Sequence, residues 1–140
     1  PERVLTAMKE AARRGVDVVV MLPRKTDHPL LRYTNRAYYE ECLQAGIRLL
    51  LREGEFIHSK TFECDDYLSM IGTSNLDMRS MELCYETNTY IYDHEVALTN
   101  KQIFLDDLGI CHELTLDEWQ RRPRWQCPLE RLFRRFAHLL

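Results

Sequence analysis

Two apolar runs, each preceded by a stretch with helical spacing, constrain the fold of this chain most strongly. "VDVVVMLP" spans residues 16–23 and "IRLLL" spans residues 47–51. Continuous apolar runs of this length are typical of strands that are buried on both faces of a parallel sheet. Residues 2–14 and 32–45 have the periodicity of amphipathic helices, and a glycine closes each of them. The order helix–strand–helix–strand therefore predicts an α/β fold with a mixed, largely parallel central sheet flanked by helices.

The middle of the chain predicts a hairpin followed by a further strand and helix. "FIHSKTFEC" and "YLSMIG" flank Asp65 and Asp66, which suit a tight turn between two strands. "TNTYIYD" alternates polar and apolar residues and predicts another strand, and residues 94–108 predict a helix.

The C-terminal stretch differs from the rest of the chain because it is rich in positive charge. We predict a main domain over residues 1–112 and a helical extension over residues 113–140. Thr115 is a candidate N-cap with Glu118 three residues on. The extension has an apolar stripe at helical spacing, which could pack on the domain or lie on a bilayer surface. We expect it to pack on the domain. The stripe comprises Leu129, Leu132, Phe133, Phe136 and Leu140, and the last twenty residues carry six arginines against the single acid Glu130.

Composition excludes several classes of protein. The 140 residues are 45% hydrophobic and 29% charged, with a net charge of −3, so no overall positive field draws the chain to nucleic acid. The five cysteines are odd in number and form no C-x-x-C pair, which disfavours a disulfide framework or a zinc site. Because the chain starts at Pro1 within a helix-like stretch and lacks an initiator methionine, we expect it to be a piece of a longer protein.

The stretch "IHSKTFECDDYLSMIGTSN", residues 57–75, carries the candidate chemistry. On a strand His58 and Lys60 leave the same face, while Ser59 points to the other, apolar side. A neutral imidazole beside an ammonium group suits nucleophilic attack on an anionic substrate. The small residues that follow the second strand let the backbone approach a ligand, and Asn75 offers hydrogen-bond donors to phosphate oxygens. Together these groups predict a phosphoryl-transfer pocket without metal ligands.

The same residues resemble a known family. H-S-K-T-F-E-C-D over residues 58–65, then six residues and G-T-S-N over residues 72–75, resembles the H-x-K-x4-D-x6-G-S-x-N pattern of the phospholipase D superfamily. Thr73 stands where that family usually has serine, so a hydroxyl is kept. The flanking sequence, over nearly the whole chain, resembles the C-terminal catalytic half of bacterial cardiolipin synthases. In that family two such patterns, one in each half, meet at a single active site.

The resemblance implies roles for individual residues. His58 is the nucleophile that forms a phosphohistidine or the general acid for the leaving alkoxide. Lys60 and Asn75 hold the phosphate oxygens, and Thr73 and Ser74 belong to the same phosphate-binding group.

Two acids complete the catalytic set that the resemblance implies. Glu86 stands where the family places an acid that hydrogen-bonds the second nitrogen of the histidine, although Glu82 is a rival. Asp65 belongs to the pattern, but strand alternation does not send it into the pocket, so we also interpret it as a structural acid at the hairpin.

The implied function is that of a phosphatidyltransferase that joins two phosphatidylglycerol molecules into cardiolipin and releases glycerol. No metal or other cofactor is implied, and no nucleic acid partner is expected. The implied partners are anionic phospholipid and a second half-site, supplied by a missing N-terminal half or by a second copy. We expect this half alone to be inactive, and the parent protein to reach the bacterial cytoplasmic membrane through segments outside this sequence, with the domain itself soluble. A homodimeric phosphodiesterase or nuclease and a non-catalytic interaction module remain alternatives.

Overall fold

In the computed structural model, which describes residues 2–26, 29–54, 56–123 and 125–135, the two apolar runs form neighbouring parallel strands. The helices are α1 (Glu2–Arg13), α2 (Pro29–Arg36), α3 (Tyr39–Gln44), α4 (His94–Asp106), α5 (Leu116–Gln120) and α6 (Gln126–Arg135). The strands are β1 (Val19–Pro23), β2 (Arg48–Arg52), β3 (Thr61–Cys64), β4 (Leu68–Gly72), β5 (Asn88–Tyr92) and β6 (Cys111–Leu114). Pro1, Phe136 and Leu140, which entered the sequence predictions, lie outside the described residues.

The strands form two three-stranded sheets. One has the order β1-β2-β6, with β1 parallel and β6 antiparallel to β2, and the other is the antiparallel sheet β3-β4-β5. The predicted mixed α/β class is confirmed. The prediction of one largely parallel sheet is wrong, because β1–β2 is the only parallel pairing among the described strands. Short connections such as the hairpin turn force antiparallel neighbours, since a parallel pair needs a long crossover.

The first sheet carries the main core. Leu49 and Leu50 point to opposite faces of β2 and are 2% and 3% exposed, so this strand is covered on both sides. This explains why its sequence reads as an uninterrupted apolar run. The buried cluster comprises Tyr39, Cys42, Ile47, Leu49, Leu114 and Trp119, with residues of α1 packed against it.

The second sheet is covered on one face by α4. Ser69 on β4 and Ala97 on α4 are both fully buried, which indicates a close approach of small side chains between the helix and this face of the sheet. On the opposite face Phe62, Met70 and Tyr90 are cross-strand neighbours, and Phe62 and Tyr90 are exposed. The sheet β3-β4-β5 therefore has one packed face and one apolar face open to solvent.

The helix predicted over residues 32–45 is two helices. α2 begins earlier, at Pro29, and ends at Arg36, and α3 starts at Tyr39. Proline suits the first helical position because its missing N–H has no partner there anyway. The break directs Tyr39 into the core, where its ring lies 5.2 Å from that of Trp119.

Strand β6 was not predicted from the sequence, and a domain boundary at residue 112 falls inside it. Its four residues include His112 and Glu113, so it carries little of the apolar pattern that marks a strand. It is identified by its pairing with β2, where Glu113 forms a two-pronged ion pair with Arg48 at 2.9 Å.

The segment after β6 lies against the rest of the chain. Thr115 caps α5 as predicted, because its hydroxyl accepts the Glu118 N–H at 3.2 Å. α6 lies along α2, with the rings of Tyr33 and Phe133 stacked 5.6 Å apart. No helix within the described ranges has the length and apolar character needed to cross a bilayer.

Candidate phosphoryl-transfer half-site

The hairpin β3–β4 brings the two parts of the H-x-K and G-T-S-N pattern to one end of the second sheet. Thr61 pairs with Ile71, and one position further the Gly72 N–H donates to the Lys60 carbonyl at 3.1 Å. Lys60 and Gly72, one from each part of the pattern, are therefore neighbours in space. We call this end of the sheet the half-site. The first strand of the hairpin was predicted to begin at Phe56. This start is wrong, because β3 begins at Thr61.

Lys60 and His58 are linked directly. The Lys60 ammonium donates to the main-chain oxygen of His58 at 2.7 Å, which turns the lysine side chain back toward the segment that precedes β3. An ammonium group has three N–H donors, so two remain for an anion. The His58 imidazole is exposed and lies 5.7 Å from the ring of Phe56. Ser59 is also exposed rather than turned to an apolar side.

Position 72 must be glycine because a neighbouring side chain, that of Asn88, occupies the space that a Cβ would need. A Cβ at this position would lie 2.0 Å from Asn88 Oδ1 and 2.7 Å from the Thr87 carbonyl oxygen. Asn88 thus fills the space that the glycine leaves, and its amide donates to Ser74 Oγ at 2.7 Å. Ser74 is 7% exposed, so its hydroxyl lies inside the protein against Asn88, whereas the next residue, Asn75, is exposed.

Thr73 and Glu86 are bonded to each other. The Thr73 hydroxyl donates to the Glu86 carboxylate and accepts the Thr87 N–H at 3.0 Å. Glu86 is therefore fixed at the half-site by Thr73, and within the described ranges it has no hydrogen bond to His58. Its pairing with His58 stays a prediction.

Asp65 is not brought to the half-site. It lies in the turn at the far end of β3, whose four residues span roughly 13 Å. Asp65 and Asp66 adopt left-handed backbone angles, with φ of 53° and 55°, which aspartate tolerates better than most residues. The ion pair at this turn is formed by Asp66, whose carboxylate lies 2.6 Å from Lys101 Nζ.

Two residues that sequence reasoning missed make hydrogen bonds within or just after the G-T-S-N segment. Asn88, the first residue of β5, contacts Gly72 and donates a hydrogen bond to Ser74. Asp77 accepts the Ser80 N–H at 2.7 Å. That bond lies at the start of a π-helical turn, Arg79–Leu83, an irregularity that is frequent near functional sites. The available signal was an asparagine, which is depleted in strands, at the first position of a strand.

The half-site lies on an open surface. A groove of about 610 Å³ is lined by residues of β2, β6 and their loops and includes none of the pattern residues. No group of three or more histidine, cysteine or acidic side chains within the described ranges is arranged to hold a metal ion.

Comparison with known proteins decides the family. A family model described as the PLD-like domain of cardiolipin synthase matches residues 1–108. The chain belongs to this phospholipase D-like family. It is 40% identical over 121 residues to a cardiolipin synthase of Staphylococcus aureus strain Mu50, a match that covers 86% of this chain and 24% of the relative. It is 36% identical over 121 residues to a cardiolipin synthase of Clostridium perfringens strain SM101, which covers 86% of this chain and 25% of that protein.

The chain therefore spans about a quarter of the length of the curated relatives it matches. Among solved structures, a phospholipase D family member, Nuc from Salmonella typhimurium, superposes with a TM-score of 0.65 at 17% identity. That match covers 80% of this chain and 73% of Nuc, and it shows a common fold. The predicted membership of the phospholipase D superfamily is confirmed.

Proposed function

We propose that this phospholipase D-like chain carries one half of the active site of a cardiolipin synthase. The reaction transfers a phosphatidyl group from one phosphatidylglycerol molecule to another and releases glycerol. The observation that supports the proposal is the position of Lys60 beside Gly72 at one end of the sheet, with the exposed His58 and Asn75 within two and three residues of them along the chain. An imidazole, an ammonium group and an amide are the groups that phosphoryl transfer needs when no metal neutralises the phosphate.

The chemistry proceeds in two displacements at phosphorus. A histidine nitrogen attacks the phosphorus, a P–N bond forms, and the P–O bond to the glycerol headgroup breaks. A second histidine protonates the departing glycerol oxygen. A headgroup hydroxyl of the second phosphatidylglycerol then attacks, its proton passes to that second histidine, and the P–N bond breaks to give cardiolipin.

His58 takes one of these two roles, so a second half-site must supply the other histidine. Within the described residues the remaining histidines lie elsewhere. His94 contacts Tyr67 near the hairpin turn, and His112 on β6 is bonded to Glu118. His28 and His138 lie outside the described residues. We propose that the partner half comes from the rest of a longer chain or from a second copy, and that the parent protein acts at the bacterial cytoplasmic membrane.

The open apolar face of β3-β4-β5 supports a partner half. Phe62 and Tyr90 are 49% and 59% exposed on the face opposite α4, next to the half-site in the same sheet. An exposed apolar patch of this kind commonly marks an interaction surface.

Product analysis separates this function from its rivals. The 140-residue chain and a full-length protein that contains it are each incubated with phosphatidylglycerol labelled in the headgroup glycerol. We expect the full-length protein to release labelled glycerol and form cardiolipin in equal amounts, and the chain alone to form neither unless it dimerises. Phosphatidic acid in place of cardiolipin would indicate hydrolysis, cleavage of single-stranded DNA would indicate a nuclease, and no turnover of either substrate would indicate an interaction module.

A further inference from the structure

Helix α6 has two opposite faces with different surroundings. Gln126, Leu129, Glu130 and Phe133 follow helical spacing on one side, and Pro128, Arg131, Leu132 and Arg135 follow the same spacing two positions on. A shift of two residues corresponds to a rotation of about 200° around a helix, so the two sets face in opposite directions. We call them the inner face and the outer face.

The inner face is occupied by the protein itself. Phe133 stacks on Tyr33 of α2, and the buried Glu130 carboxylate receives hydrogen bonds from Arg36 at 3.0 Å and Arg122 at 3.2 Å. This contact corrects the single stripe drawn from the sequence, because Leu132 does not belong to the packed side and is 50% exposed. The inner face therefore holds the helix in place and needs no further partner.

The outer face combines exposed apolar and cationic side chains. Leu132 is 50% exposed, and Trp125, just before the helix, is 60% exposed. Arg131 and Arg135 are exposed and, within the described ranges, have no carboxylate partner, whereas Arg134 is paired with Glu41. The two unpaired arginines, one turn apart, line an open groove of about 420 Å³ with Cys127, Pro128 and Leu132.

We propose that the outer face of α6, together with Trp125, docks on an anionic phospholipid surface. Tryptophan and leucine gain free energy at the boundary between headgroups and acyl chains, while arginine side chains reach the phosphates. The groove between Arg131 and Arg135 suits a headgroup phosphate, because guanidinium groups donate two parallel hydrogen bonds to phosphate oxygens. The docking surface is separate from the half-site, so vesicle binding does not depend on the proposed reaction.

A membrane fits this face better than a nucleic acid does. Binding to nucleic acid relies on a continuous basic groove, and this chain carries a net charge of −3. The outer face instead interrupts its two arginines with apolar side chains, which is the composition of a helix lying at a bilayer surface.

Vesicle sedimentation with matched variants tests the proposal. The 140-residue chain is mixed with vesicles of phosphatidylcholine alone or with one third phosphatidylserine, an anionic lipid that is not the proposed substrate, and folding is checked by circular dichroism. We expect binding to the anionic vesicles, and we expect R131Q/R135Q to weaken it about 25-fold, from about fivefold for each arginine at the surface. The control R13Q/R14Q removes the same charge from exposed positions at the end of α1 and should weaken binding less than about threefold.

Tryptophan fluorescence gives a second readout. Since Trp119 is 3% exposed, a blue shift on adding anionic vesicles reports on Trp125. Such a shift, together with the selective loss in R131Q/R135Q, supports the proposal. Equal losses in both double variants, no binding to anionic vesicles, or an unchanged Trp125 emission would overturn it. So would arginine-dependent binding of single-stranded DNA with no difference between the two kinds of vesicle.

Discussion

Replacing His58 by alanine is expected to lower phosphatidyl transfer by about 10⁴-fold or more. The imidazole is exposed. In the proposed reaction it is either the attacking nitrogen or the proton donor, and alanine supplies neither function. The initial rate of labelled glycerol release from phosphatidylglycerol, measured in the full-length protein, gives the effect directly. Because His58 is exposed, the substitution should leave the thermal unfolding midpoint nearly unchanged.

His94→Ala is the matched control for this experiment. His94 is also exposed, but its ring lies 5.4 Å from Tyr67 near the hairpin turn, at the far end of the same sheet. Its removal should change the rate by less than about twofold, since it contacts no reacting group. Wild-type turnover in His58→Ala would remove this histidine from the mechanism, whereas equal losses in both variants would point to a structural effect.

Replacing Glu130 by glutamine should have the largest effect on stability, lowering the free energy of unfolding by about 3 kcal/mol. The carboxylate is 3% exposed and bonds to two arginines, Arg36 and Arg122, whose guanidinium groups both lie over the Trp119 ring. Without it, both cations remain half-buried with weaker partners. Arg122 keeps Glu40 and Arg36 keeps Gln126, which is why the expected loss lies at the lower end for a broken buried ion pair.

Urea denaturation measures this loss against a surface control. With a slope of about 2 kcal/mol per molar urea, Glu130→Gln should shift the midpoint down by about 1.5 M at an unchanged slope. Arg121→Gln removes an ion pair with Asp117 whose side chains are 79% and 72% exposed, and should cost no more than about 0.5 kcal/mol. Equal midpoints for the two variants would show that Glu130 does not fasten α6 to the domain.

Local patterns predicted the elements that depend on nearby residues. Helix α1, strands β1 and β2, the hairpin turn at Asp65 and Asp66, and the Thr115 cap all follow from spacing, runs or capping chemistry within a few positions. Lys60 and Gly72 also lie side by side, because a short hairpin leaves little freedom in which residues are neighbours.

Features that depend on distant contacts escaped prediction. β6 is short and polar and exists as a strand through its pairing with β2. Asn88 on β5 reaches the half-site because it is paired with Gly72 on β4. Glu130 is buried because it bonds to Arg36, which lies more than ninety positions earlier in the sequence. In the sequence Glu130 reads as one acid among many arginines, since no local pattern distinguishes a buried carboxylate from a solvated one.

Nuclear magnetic resonance titration with orthovanadate, an analogue of the phosphoryl group, tests the central claim most directly. The claim is that the side chains of His58, Lys60 and Asn75 bind one anion together at the end of the β3–β4 hairpin. We predict that the ring signals of His58 and the side-chain amide signals of Asn75 shift with a single common dissociation constant, and that Lys60→Met abolishes both shifts. Shifts with different constants, or shifts that survive in Lys60→Met, would contradict a shared anion site.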